Sequence, residues 1–429
     1  MPTMPAPPIA TLYVFNVGQG DSLLLHLVNT DEVLLVDSNV ARGHTDREPP
    51  ALRFLKQRAE RTGKYDIDLL CLTHPDRDHY TGIADVLEWS EAHGGRVKNL
   101  ILSEDPDYKT LRDRTLEILR TVGDKARRWE LRERYTEFGR LLGLLRRIER
   151  QLGPAARTAN DFAPVQVIGA AQVYVFGPTS QRVREFRRHV IDDLLKAWVN
   201  GETDLDRLST NEISCVLWCI IGPVKLLLTG DATATALLEA IEAYRSRHEA
   251  ATGHSLRTEI IKAPHHGAKL GSSPEFWDAM LTRESPHVVI SAGHDQRVRH
   301  PHIETLHDIR NARPNALLFC TNTCPHYHKR SPLTAQEIRL ADRFEDELTL
   351  AKHTTIANKP RYAYHGTCRF EIDAAGGIRA ECEFNPAEPC PLHAAGVMGV
   401  PIECTSAPKI ARPFSSLIQK ARVTSPSAG

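Results

Sequence analysis

The strongest constraint on this chain is the run Thr73-His74-Pro75-Asp76-Arg77-Asp78-His79, which follows the apolar stretch Asp68-Leu69-Leu70-Cys71-Leu72. The apolar stretch reads as a short buried strand. A strand that ends in a loop dense in imidazoles and carboxylates can aim several donors at one point. Two carboxylates and two imidazoles so close together suit a pair of divalent cations better than one. The competing reading is a solvated polar loop that caps the helix expected from Tyr80-Thr81-Gly82.

The same unit of strand, donor-bearing loop and helix recurs. Val224 to Thr229 reads as a strand that closes on Gly230-Asp231, ahead of a helix from Ala232 to Tyr244. Glu259 to Lys262 ends in Pro264-His265-His266-Gly267, and a helix from Pro274 to Leu281 follows. His287 to Ser291 leads into the stretch His294 to His302. In open α/β sheets ligands collect at such strand C-terminal ends. Asp231 follows a glycine, where the backbone can turn sharply and leave the carboxylate exposed. It can bridge two cations about 3.5 to 4 Å apart, the spacing at which two metals activate water and stabilise a leaving oxygen.

Upstream, Leu12 to Val17, Ser22 to Leu27 and Val33 to Asp37 read as paired strands, the first two joined by the turn Gly18-Gln19-Gly20-Asp21. Pro49 to Arg61 reads as a helix and Leu100 to Leu102 as a short strand. Further strands are expected at Val165 to Ile168, Val173 to Pro178 and Ile213 to Ile221, with Gly222-Pro223 as a tight hairpin turn. Residues 107–158 differ in character. Leu131, Tyr135, Phe138, Leu141, Leu142, Leu145 and Ile148 recur at three and four spacing, which predicts a long helical insertion. Its arginines either form a solvated face paired with glutamates or offer a surface to phosphate. A terminal hairpin is expected from His365 to Phe384. From Thr405 the chain is rich in Pro, Ser and Ala, which predicts a mobile tail.

Composition excludes several classes. The formal net charge of zero gives no whole-molecule field to attract nucleic acid, so any anionic partner must meet a local patch. Met1 to Pro8 has no basic region and no apolar core, and is not expected to be a signal peptide. No stretch approaches the length of a membrane span. Nine cysteines, an odd number scattered over 429 residues, fit reduced thiols and a cytoplasmic location better than a disulfide framework. Cys320, Cys324, His326 and His328, with Cys368, Cys382, Cys390 and His393 further on, have tolerable spacing for a structural zinc site. They lack a clean second cysteine pair, and buried thiols are the plainer reading.

Taken together, Phe15-Asn16-Val17-Gly18-Gln19-Gly20-Asp21, Leu35-Val36-Asp37, Thr73 to His79, Leu228-Thr229-Gly230-Asp231-Ala232, Lys262-Ala263-Pro264-His265-His266-Gly267 and Gly293 to His302 resemble the metallo-β-lactamase fold. Within it they resemble the hydrolase domain of ComEC-type DNA-uptake proteins. The resemblance covers residues 10–310, with 311–404 as a C-terminal extension carrying the hairpin and the Cys/His segment, and 405–429 as the tail. It implies a four-layer αββα sandwich and a binuclear metal site. His74 and Asp76 would bind one ion, Asp78 and His79 the other, and Asp231 would bridge. A later histidine would complete the second site: His300, which follows the last core strand, with His265 and His266 as rivals. If not ligands, His265 and His266 stand where the resemblance implies a proton donor or phosphate contact. Asp37 is implied as an orienter of a ligand. Lys262, Lys269, Arg297 and His302 lie beside these motifs, where they can meet substrate.

Departures from the wider fold bear on the metal. Asp76 and Asn211 stand where histidines are usual, as in the DNA-uptake group, and oxygen donors harden the site. The expected cofactors are two divalent ions, manganese or zinc, with magnesium as the alternative. The expected function is a soluble nuclease in which a metal-bound hydroxide near Asp78 attacks phosphorus. Two other readings stand beside it: a hydrolase of a small ester, thioester or lactone, and a partner-binding subunit that docks through the helical insertion.

Overall fold

The computed structural model describes residues 6–40, 48–103, 139–141, 143–152, 156–159, 166–186, 210–293, 300–323 and 367–382, together with short strands at 355–356, 359–360 and 363–364. Most of the expected helical insertion, Arg297, Cys324, His326, His328, Cys390, His393 and the tail lie outside the described residues.

The first sheet holds β1 (Pro8–Val14), β2 (Ser22–Leu27), β3 (Glu32–Ser38), β4 (Leu69–Leu72), β5 (Leu100–Ser103) and β6 (Ala156–Ala159). The second holds β7 (Gln166–Ile168), β8 (Ala171–Gly177), β9 (Val216–Ile221), β10 (Val224–Leu228), β11 (Ile260–Lys262), β12 (His287–Ile290) and β13 (Leu317–Cys320). Two minor pairs join β14 (Asn322–Thr323) to β17 (Ala363–Tyr364) and β15 (Thr355–Ile356) to β16 (Lys359–Pro360). The terminal hairpin, β18 (Cys368–Asp373) and β19 (Ile378–Cys382), adds to the first sheet beside β1. The strand orders are β19-β18-β1-β2-β3-β4-β5-β6 and β13-β12-β11-β10-β9-β8-β7. In each sheet one half is antiparallel and the other parallel: β3 to β6 in the first, β10 to β13 in the second.

Burial of both sheet faces explains the near-continuous apolar runs of the central strands. In β3, Leu34 and Val36 face the second sheet while Val33 and Leu35 face the outer helices. In β9, Leu217, Cys219 and Ile221 point inward, and Val216, Trp218 and Ile220 point outward. Helices Pro50–Thr62 and Ile83–Ala92 cover the first sheet. Helices Ala234–Arg247, Pro274–Met280 and Ile303–Ala312 cover the second. Local signals set their ends: Thr233 and Ser273 cap two of them, accepting from Ala236 N and Phe276 N. The result is the expected αββα sandwich.

Several expectations need correction. Residues 156–158, placed in the helical insertion, belong to the strand Ala156–Ala159, parallel to β5. Of that insertion, residues 139–141 and 143–152 are described as helix, and Leu141, Leu144 and Leu145 seal it onto the first sheet. Its Arg140 pairs with Asp85 and Glu88, and Arg147 with Glu91, so these arginines serve the paired helix face. The strand expected from Ile213 begins only at Val216, because Thr210–Ile213 forms a 3-10 turn and Cys215 N donates to Thr73 O. Cys320 packs under the outer helices of the second sheet, whereas Cys368 lies in the core between the sheets, so the two sit on different layers.

Candidate metal centre

The donors gather where the C-terminal ends of β4, β10, β11 and β12 meet the start of β2. After β4, Thr73 and His74 are buried and the chain turns through Asp76 into the short helix Arg77–Tyr80, which carries Asp78 and His79. Asp37, at the end of β3, accepts from Thr73 N at 2.8 Å, Thr73 Oγ1 at 2.6 Å and His79 Nδ1 at 2.7 Å. That last bond places a proton on His79 Nδ1 and turns Nε2 toward Asp231 Oδ1, 3.3 Å away. His74 Nδ1 sits near Thr73 Oγ1 and Ser214 Oγ, and its Nε2 lies 3.5 Å from Asp76 Oδ2. Thr210 Oγ1 donates to Asp76 Oδ1 at 2.5 Å.

From the second sheet, Gly230 (φ 50°) turns β10 so that Asp231 faces the cluster, and Asp231 N donates to Ser214 Oγ at 3.0 Å. A side chain at Gly230 would run into Ser214 and Thr73. His265 and His266 also take left-handed backbone angles (φ 46° and 54°), which non-glycine residues adopt only when their surroundings impose them. The turn aims both rings at Asp231 Oδ2, His266 Nε2 at 3.2 Å and His265 Nε2 at 3.6 Å. His266 Nδ1 lies 2.8 Å from Ser291 O, again leaving Nε2 toward the cluster, 3.4 Å from Asp78 Oδ2.

The observation that tests for a metal is a set of buried atoms with no hydrogen-bond partner. His74 Nε2, His79 Nε2, His266 Nε2 and Asp231 Oδ1 are all of this kind. Buried polar atoms ordinarily find partners, so several converging exceptions mark the place of a missing one. The groups able to hold an ion among the described residues include His74, His79 and Asp231; Asp78, His79 and His266; Asp21, Asp37 and His79; and Asp21, Asp231 and His266. Imidazoles and carboxylates in this mixture fit a divalent transition ion. Two-sheet layering, parallel strand ends and this donor set in this chain order decide the architecture. The architecture is the αββα sandwich, and in it the chain is similar to proteins of the metallo-β-lactamase fold.

No family model matches the chain. A segment of 113 residues is 29% identical to ComE operon protein 3 of Bacillus subtilis (strain 168), which is 25% of this chain and 13% of that protein. The chain thus matches a small part of that relative's length. Among solved structures it is similar to CmlA, a diiron beta-hydroxylase from Streptomyces venezuelae (14% identity, 74% of this chain and 53% of that one, TM-score 0.37). It is also similar to the metallo-beta-lactamase fold protein YhfI from Bacillus subtilis (9%, 72% and 95%, TM-score 0.33). A third is a long form RNase Z from yeast (9%, 73% and 41%, TM-score 0.34).

Electrostatics follow from burial against charge. Burial opposes the imidazolium of His79, yet Asp231 and Asp37 outweigh it and hold its pKa well above the usual value. His266 behaves alike, burial being overcome by Asp231 and Asp21. Burial opposes ionisation of Asp231 too, but His266, His79 and His265 hold it well below the carboxylate range. For His265 burial wins over Asp231 and lowers the pKa.

The geometry sorts the expected residues. His74, Asp78, His79, Asp231 and His266 converge. Asp76 lies beside His74 at the more open side, its side chain 45% exposed. His300, the favoured later histidine of the sequence reading, is in none of the metal-capable groups; its Nδ1 lies 3.1 Å from Gln19 Nε2. His266 turns its unpartnered Nε2 into the cluster, whereas His300 Nδ1 faces Gln19. Asn211 contacts His265 at 3.3 Å, and His302 Nδ1 accepts from Lys269 N at 2.9 Å. Lys262, expected beside substrate, is fully buried behind Asp231 and cannot meet an incoming phosphate. Sequence reasoning gave Asp21 no role. A carboxylate directly after a turn glycine, as in Gly230-Asp231, was the signal that would have found it.

Among the described residues no helix is long and apolar enough to cross a membrane.

Proposed function

We propose that this chain is a metal-dependent hydrolase of phosphodiester bonds, a nuclease with a two-ion site. One observation carries the reading: three buried imidazole Nε2 atoms and Asp231 Oδ1, all without hydrogen-bond partners, converge beneath the more exposed carboxylates Asp76 and Asp78. His74 and Asp76 would hold one ion, Asp78, His79 and His266 the other, with Asp231 between them. When bound, such a pair activates water and neutralises charge on a phosphate.

The chain's own residues do the rest. Asp37 and Ser291 O fix the tautomers of His79 and His266 so that both offer Nε2. Thr210 orients Asp76 toward His74, and Arg182 steadies that turn through Glu212, 3.2 Å away. His265 is the imidazole beside Asp231 that keeps exposure, 20%, and is placed to contact a phosphate oxygen. The oxygen-rich rim of Asp76 and Asp78 favours phosphate esters.

The test is a panel of single-stranded and duplex DNA, RNA, small phosphodiesters, and ester, thioester and lactone substrates with Mn²⁺, run on the wild type and on Asp78→Ala/His79→Ala. Hydrolysis of a phosphodiester by the wild type and its loss in the variant are expected. Equal activity in the two, or activity confined to carboxylic esters, refutes the assignment.

A further inference from the structure

Lys262 closes β11, between apolar neighbours that pack into the core, and its side chain is fully buried. Its ammonium touches the Asp21 carboxylate, donates to Gly230 O at 2.8 Å and faces Asp231 Oδ1 at 3.6 Å. An ammonium has three protons and accepts nothing; Asp21 and Gly230 O take two of them, and the third faces Asp231 Oδ1 at ion-pair rather than hydrogen-bond distance. A buried charge is costly unless matched, and helix and sheet packing here make no demand for one. Yet two of the four groups able to hold an ion among the described residues include Asp21, one with Asp37 and His79, the other with Asp231 and His266. The ammonium competes with a metal for Asp21 in both.

We propose that Lys262 is a fixed internal cation that fills the deep end of the cluster. It holds Asp21 to itself, so that divalent ions enter only among His74, Asp76, Asp78, His79, Asp231 and His266. It also steadies Asp231 from behind, on the oxygen that faces His79. Lys262 is thus a positioning residue that sets how many ions the site takes. The inference rests on the two-ion reading above.

Lys262→Met keeps most of the stem and removes the charge. Bound Mn²⁺ is counted by equilibrium dialysis and elemental analysis, with circular dichroism on the same samples. The variant is expected to take one more ion per chain than the wild type, and Asp21→Asn added to it is expected to abolish that gain. A folded Lys262→Met chain with the wild-type number overturns the proposal. If Lys262→Met does not fold, Asp21→Asn in the wild-type background decides. An unchanged count is expected there, because Lys262 still fills its place, and one ion fewer would make Asp21 a ligand and overturn the proposal. The wild-type count reports separately on the two-ion reading: a single ion would sink that reading, while the difference between chains still reports on Lys262.

Discussion

Asp37 makes three short hydrogen bonds in a fully buried setting, and one of them decides which nitrogen of His79 is available. Asp37→Asn keeps the shape and one acceptor oxygen, which stays with Thr73 N. The amide nitrogen must then face Thr73 Oγ1 and His79 Nδ1. A donor there forces the His79 proton onto Nε2, where it points at Asp231 and blocks ligation. Loss of such an outer partner ordinarily costs about 10- to 100-fold in metal affinity, and the flipped tautomer puts this variant at the upper end of that range. Asp37→Ala instead strands three buried donors, at about 1 kcal/mol or more each, so it should lose roughly 3 kcal/mol of stability. Mn²⁺ titration calorimetry on the Asn variant and urea unfolding of the Ala variant measure the two effects. An Asn variant whose affinity moves by less than about twofold, against the tenfold or more expected, would refute the tautomer argument.

Three further outcomes are expected. His266→Ala should weaken Mn²⁺ binding far more than His300→Ala, by about tenfold or more, since only His266 turns an unpartnered nitrogen into the cluster; equal losses would restore His300 as the ligand. Gly293→Ala places a Cβ 1.8 Å from Gln19 N and 2.3 Å from Gly18 C, so backbone must move; a loss of about 1 to 3 kcal/mol or more in urea unfolding is expected, and an unchanged midpoint would contradict the contact. His287 stacks on Phe319, its Nδ1 has no partner, and burial lowers its pKa to about 4. A lowered histidine pKa means that the unfolded chain takes the proton first. Stability is therefore lost as pH falls from about 6.5 toward about 4, by on the order of 3 kcal/mol from this group. His287→Phe should lose less between pH 7 and pH 4.5 in urea unfolding; equal losses would refute the assignment.

Strand cores and donor loops were legible because their signals are local. Val33 to Val36 and Val216 to Ile221 are apolar throughout because both faces are buried, and the Thr73 to His79 run carries its donors in one turn. What escaped depended on distant partners. Nothing local separates His266 from His300; the difference lies in the left-handed turn at His265 and His266 and in a glutamine far upstream. Lys262 looked like a surface base because its sequence neighbours do not reveal Asp21. Residues 156–158 follow a helical stretch and carry no local sign of their pairing with β5, which is set across a long gap. The helix Ile303–Ala312 follows directly on the donor-rich stretch His294 to His302, whose residue types carry a stronger local signal than the helix itself.

The donors come from both sheets and from chain positions as far apart as Asp21 and His266, and the backbone itself ties the two sheets at this end, Cys215 N to Thr73 O at 2.8 Å. Contacts of such wide sequence separation form late and slowly. A growing chain that has exposed only β1 to β5 carries His74, Asp76, Asp78 and His79 without Asp231 or His266. On a ribosome, the centre would remain half-built until β11 and its following turn emerge. An ion captured at completion would then act as a clasp between the two sheets, slowing their separation and thus lengthening the lifetime of the folded chain.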